Sequence, residues 1–141
     1  MRGFITVADA ARAAERGKVS MIGGFWSTVV EGPTQMDVVA VISLSPDEAG
    51  PHEFAIRLVG SAEDDGRAMV GIDGKFGPSD PDAAAAQGSS APPVVASFTF
   101  QAPGMALSPG KHRWILELDG TEIAEWPFLV LPNPDAPPST E

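Results

Sequence analysis

The chain has 141 residues, 43% hydrophobic and 20% charged, which is the size and composition of one folded domain able to bury a core. Nineteen acidic residues against nine scattered basic ones leave a net charge of −10, which excludes a duplex-binding surface or an anionic-membrane surface, since both need clustered Lys and Arg. Cysteine is absent, which excludes disulfides, thiolate metal sites and thiol nucleophiles and fits a reducing cytosol.

In residues 1–18 no apolar stretch follows the basic start, because Asp9 and Arg12 interrupt it, so no secretory signal is expected. No stretch approaches the length of a membrane span. Fifteen glycines and fourteen prolines fall in clusters, the punctuation of short strands and turns. Residues 4–8 read as a strand. The run 9–16 (DAARAAER) has helical composition but is short, which predicts a single helical turn or a bent connection, ended by Gly17. Residues 19–30 read as one strand with Gly23 and Gly24 inside it, a pair that marks a bulge or a close backbone approach.

Met36, Val38, Ala40, Ile42 and Leu44 share one face, and the alternate face is apolar in its middle at Val39 and Val41. The pattern predicts a central strand, followed by a Pro-rich turn at 45–51. Phe54, Ile56 and Leu58 alternate with Glu53, Ala55 and Arg57, a strand with one wet face. A polar turn at 62–67 leads to a short strand, 69–72, ended by Asp73-Gly74. Residues 77–93 read as a long loop of Pro, Asp, Ala, Gln, Gly and Ser. Val94, Ala96, Phe98 and Phe100 then alternate with Val95, Ser97, Thr99 and Gln101 as a further strand.

The chain closes on a hairpin around Asp119-Gly120. A two-residue loop would pair Trp114 with Glu125 and mix the two faces. A three-residue loop, 118–120 with Gly120 left-handed, pairs 114 with 124 and 112 with 126. It keeps Trp114, Leu116, Ala124, Trp126 and Phe128 on one face, and that register is the expectation. The Pro-rich tail, 132–141, is expected to be disordered. Together these elements predict an all-β fold. It is a two-sheet antiparallel β-sandwich of about eight strands, immunoglobulin-like or a related Greek key, as a single domain over 1–131. A small barrel is the alternative.

Four stretches carry a resemblance. They are ITVADAA near the start, GKVSMIGGFW after it, a Pro-Asp-Glu-Ala turn followed by His52, and the closing LSPGKHRWILELDG and WPFLV. Together they resemble a family of small uncharacterised bacterial proteins, found mostly in actinobacteria and also in phage-associated settings, catalogued as a domain of unknown function. The resemblance spans 4–131. It implies a compact β-sandwich and supplies no catalytic residues.

The candidate chemistry is sparse. Glu63, Asp64, Asp65 and Asp73 form the densest acidic cluster, which reads either as a calcium site on sandwich loops or as a solvated turn, and matches no calcium-loop signature. His52 and His112 have no partner pattern of a triad or a metal pair, and a structural or surface role is expected for both. Trp114 and Trp126 read as core, with Trp26 the most exposed of the three tryptophans. Glu117, Asp119, Glu122 and Glu125 read as a solvated rim of the last hairpin rather than a glycosidase pair. No catalytic, cofactor-binding or metal residue is assigned, and no cofactor is implied. The expected function is a non-enzymatic interaction or structural module with a protein partner, a homo-oligomer being one form of it. Neither nucleic acid nor membrane is expected as a partner. The expected place is the cytoplasm, or a virion if the protein is a phage-derived decoration or tail component. A calcium-binding or small-ligand domain and an enzyme of unknown class are the alternatives.

Overall fold

A computed structural model describes residues 2–13, 18–48, 50–60, 68–76 and 94–134. Among these residues nine strands form two sheets, and neither closes into a barrel. The strands are β1 (Arg2–Ala13), β2 (Val19–Gly24), β3 (Thr28–Val30), β4 (Gly32–Leu44), β5 (His52–Val59), β6 (Ala68–Phe76), β7 (Val94–Leu107), β8 (Gly110–Leu118) and β9 (Thr121–Leu131). One sheet runs β2-β1-β4-β7 and the other β3-β9-β8-β5-β6, the arrangement of a β-sandwich. Among the described residues no helix is long and apolar enough to cross a membrane.

The core follows from the alternation. Met36, Val38, Ala40, Ile42 and Leu44 are all fully buried, facing Ile56, Leu58, Trp114, Leu116 and Leu118 of the other sheet. Val39 is buried on the opposite face of β4, so the strand is covered on both sides in its middle, as its sequence predicts. Trp114 is the largest fully buried side chain. Its indole N–H donates to Met36 Sδ at 3.3 Å, and Phe100 meets its ring edge-on at 5.7 Å. Truncating such a residue to alanine costs about 3–5 kcal/mol, a large part of a domain's stability.

Four expectations are corrected. Residues 9–13 are strand rather than helix, because Ala10, Ala11, Arg12 and Ala13 pair with Ile22, Met21, Ser20 and Val19 of β2. Sheet pairing here overrides an alanine-rich propensity worth only tenths of a kcal/mol per residue. The span 19–30 is two strands in different sheets. Gly23 and Phe25 both take left-handed backbone (φ 63° and 64°), which turns the chain out of the first sheet, and β3 then pairs parallel with β9. Asp73-Gly74 ends nothing. β6 runs through to Phe76, with Asp73 opposite Ala55 and Gly74 opposite Phe54. A Cβ at Gly74 would stand 2.9 Å from the Phe54 ring, so the glycine makes room for that ring within the strand.

The fourth correction is the closing hairpin. Asp119 and Gly120 are both left-handed (φ 51° and 82°), so the loop has two residues. A bulge then shifts the register: Leu118 pairs with Thr121 and Glu117 with Glu122, but Leu116 pairs with Ala124, Trp114 with Trp126 and His112 with Phe128. Ile123 is the extra residue. It restores the facing that an unbulged two-residue loop would have mixed. The expected face is therefore correct, and so is the left-handed Gly120, while the pairing is two residues away from the expected one.

The chain changes sheet within one or two residues at two neighbouring corners. β3 passes to β4 through Glu31, and β7 passes to β8 through Ser108 and Pro109. Gly32 (φ 143°) and Gly110 (φ 135°) begin the receiving strands in backbone that side-chain-bearing residues rarely adopt. No atom lies within 4 Å of where a Gly32 Cβ would be, so Gly32→Ala tests backbone strain alone. The variant should lose about 1–3 kcal/mol in denaturant unfolding, with an unchanged far-UV spectrum. An unchanged midpoint would refute the strain.

Candidate functional site

Two constellations stand out, both built from residues far apart in sequence. The first is a rim of aromatic rings where β1 of one sheet meets β9 of the other. Phe4, Phe25 and Trp126 touch one another, with ring centroids 5.9 Å apart for Phe4–Phe25, 6.5 Å for Phe4–Trp126 and 6.1 Å for Phe25–Trp126. Phe4 is 41% and Phe25 55% exposed, and Trp126 is half-buried.

The segment after β2 holds these rings. Phe25 N–H donates to Val7 O at 2.9 Å, tying the segment to β1. The Trp126 indole N–H donates to Trp26 O at 2.9 Å, and Leu129 N–H to Ser27 O at 2.8 Å, tying it to β9. The Trp26 ring packs edge-on against Phe128 at 5.6 Å. Its neighbour Phe25 takes the exposed position at the cost of a left-handed backbone, roughly 1–2 kcal/mol for a residue with a side chain. Trp114 lies in the core as expected, but Trp126 is corrected to half-buried, the same as Trp26, because its ring lies against the exposed Phe4 and Phe25. The exposed aromatics that the sequence reading missed are Phe4 and Phe25. The one local signal was Gly23-Gly24 just ahead of Phe25.

The second constellation centres on His52 at the start of β5. Its Nδ1 lies 2.6 Å from Asp119 Oδ2, and its Nε2 lies 2.7 Å from Glu48 O. Both neighbours are acceptors, so the protonated ring can donate from both nitrogens at once. Asp119 also accepts the Glu53 N–H on Oδ1 at 2.9 Å, and its own N–H donates to Glu53 O at 2.7 Å. The Asp119 hydrogen bond, then that of the Glu48 carbonyl, pushes the His52 pKa up. The Glu53 amide, then His52, pulls Asp119 down. Phe76 stacks on the ring at 5.7 Å. With both nitrogens engaged, His52 clamps the closing turn to β5 and the turn before it, which is a structural role. His112 is buried and stacked on Phe128 at 5.5 Å, with its Nδ1 3.2 Å from Gly110 O.

The carboxylates of the last hairpin are tied to cations. Glu117 pairs with Arg57, and Arg113 spans Glu125 at 2.8 Å and Glu122 at 3.4 Å. Exposed pairs of this kind contribute at most about 1 kcal/mol each. A depression of about 350 Å³ opens beside them on the outer face of the second sheet, lined by Glu53, Ala55, Asp73, Lys75 and Glu117. Of the expected calcium cluster, Glu63, Asp64 and Asp65 lie outside the described residues, as do the loop 77–93 and the tail from 135 on. Among the described residues no group of three or more His, Asp or Glu side chains is placed to hold a metal ion.

A two-sheet β domain with a charge-paired sheet face and an exposed aromatic rim is the class that this geometry defines. The chain belongs to a family of unknown function, DUF6941, which it matches over residues 3–131. No curated protein matches it.

The His52–Asp119 clamp sets a pH dependence. The stabilisation from His52 is complete below its ordinary value of 6.5 and is lost as the pH rises through the raised folded-state value. That from Asp119 is present above its ordinary 3.8 and is lost as the pH falls through its lowered value. An NMR titration of His52 should give a midpoint above 6.5, moving back toward 6.5 in Asp119→Asn. As the pH rises from 6.5 through the raised folded-state value, the melting temperature of the wild type should fall more than that of His52→Gln. Parallel curves would show that the clamp contributes nothing.

Proposed function

We propose that this protein is a non-enzymatic interaction module that docks a protein partner through the rim of Phe4, Phe25 and Trp126. The observation that carries the reading is Phe25. A non-glycine residue in costly left-handed backbone presents its ring on the surface against two others. Contiguous exposed aromatic surface is the usual centre of a protein contact, where large rings bury area at small entropic cost. His52 and the hairpin carboxylates also support a non-enzymatic role, since each is engaged in holding the fold.

The finer version is a phage-derived virion accessory, a decoration or tail component from an actinobacterial setting. It rests on the sequence resemblance and places the protein in a virion rather than the cytoplasm. Capsid and tail genes flanking its own gene would support it, and housekeeping neighbours would count against it.

Phe25→Gly tests the docking surface. It removes the ring and relieves the backbone, two effects of about 1 kcal/mol in opposite directions, so the melting temperature should move by no more than a few degrees. In parallel pull-downs from the native host, a partner held by the wild type should be lost or weakened at least tenfold with the variant. Equal capture by both would overturn the rim as the docking site.

A further inference from the structure

We infer, resting on the rim as the docking surface, that its occupant is basic: a protein segment whose arginines stack on Phe4, Phe25 and Trp126. The whole chain sets the sign of the partner. It carries nineteen acidic residues against nine basic ones. Three of those cations, Arg57, Lys75 and Arg113, already pair with carboxylates of their own sheet. The field that a diffusing partner meets is therefore negative. Such a field speeds the encounter with cationic surfaces and repels acidic ones. A second copy of this chain, also at −10, is among those repelled.

Locally the rim is bracketed by carboxylates. On one flank the Asp9 carboxylate fills the space that a Gly23 Cβ would need, two residues before Phe25. Asp9 is exposed, and no ion pair among the described residues includes it. On the other flank Glu125 adjoins Trp126, and it shares the single guanidinium of Arg113 with Glu122. Two carboxylates on one cation leave one negative charge over. With Asp9 that makes two, against Arg2 two residues before Phe4, so the balance stays negative. The rings turn a preference for cations into one for arginine. Phe4 and Phe25 are exposed, and both meet Trp126 edge-on, at 71° and 66°. Edge-on packing covers one face of one ring in each pair, so other faces remain for a ligand. An aromatic face carries negative charge, and a flat, weakly hydrated guanidinium stacks on it better than an ammonium does. Arginine beside exposed rings is also the usual composition of a protein contact.

Two-dimensional NMR on the full chain tests the basic occupant, with oligo-arginine, oligo-lysine and oligo-glutamate peptides of equal length as probes. Oligo-arginine should shift the amides of Phe4 and Phe25 and the indole N–H of Trp126. The indole of the buried Trp114 should stay in place. Oligo-lysine should bind the same residues about threefold more weakly or worse, and oligo-glutamate should shift none of them. Raising salt from about 0.1 M to about 1 M cuts the screening length from about 10 Å to about 3 Å, so oligo-arginine affinity should fall at least tenfold. Phe25→Gly should lose the shifts at Phe4 and Trp126. Asp9→Asn keeps every ring and should weaken oligo-arginine about twofold. No binding of oligo-arginine, equal binding of oligo-glutamate, or shifts confined to carboxylates elsewhere, such as Glu53, Asp73 and Glu117, would each overturn the basic occupant. Oligo-lysine binding as tightly as oligo-arginine would overturn the stacked arginines. The host pull-down separates this result from the rim itself. A partner lost with Phe25→Gly, yet held undiminished by the wild type at about 1 M salt, would keep the rim as docking surface and overturn its basic occupant.

Discussion

Five residues, 25–29, hold the two sheets together along one side. Phe25 is bonded to β1. Trp26 and Ser27 accept from β9, and Thr28 and Val29 then join that strand as its parallel neighbour. Two packed sheets share only side-chain contacts unless the chain itself passes between them with its backbone groups satisfied. This segment satisfies them alternately on either side. The left-handed turns at Gly23 and Phe25 are what let it leave one sheet and reach the other. The same path leaves the Phe25 ring on the surface, against Phe4 and Trp126.

At the opposite end of the second sheet the closing turn is fixed by a charge rather than by a crossing. Asp119 reaches the Glu53 amide and the His52 ring, and His52 reaches back to the Glu48 carbonyl. Three segments, the turn before β5, the start of β5 and the β8–β9 turn, thus share one ionic centre. A column of rings runs inward from it. Phe76 stacks on His52, packs against Phe54 and meets Phe98 edge-on at 5.4 Å. Apolar packing therefore backs the clamp on one side and leaves its carboxylate in water on the other.

The parts of the fold legible in the sequence were those where pattern and burial obey the same rule. The alternation from Met36 to Leu44 names the buried face of β4 outright, and the face of the closing hairpin follows from its tryptophans. The hairpin register did not follow, because Ile123 looks like any strand isoleucine, and nothing local says that it is the bulged residue. Asp73-Gly74 has the chemistry of a turn, and only Phe54, twenty residues earlier, explains why it is strand. The site was less legible than the fold. His52 and Asp119 are 67 residues apart, and their contact exists only once β5 and β8 are neighbours. Phe25 takes a conformation that its residue type disfavours, so propensity argues against it.

The rim also orders the two terminal strands. Gly3 lies so close to Ile123 that an added Cβ would stand 2.5 Å from its Cδ1, Phe4 lies against Trp126, and Val7 is linked through Phe25 toward Ser27 and Leu129. β1 and β9 therefore run side by side in the same direction, and residues 2 and 131 sit at opposite poles of the domain. A pull transmitted through those two residues slides one sheet along the other and loads the crossing hydrogen bonds together, where a hairpin would yield one bond at a time.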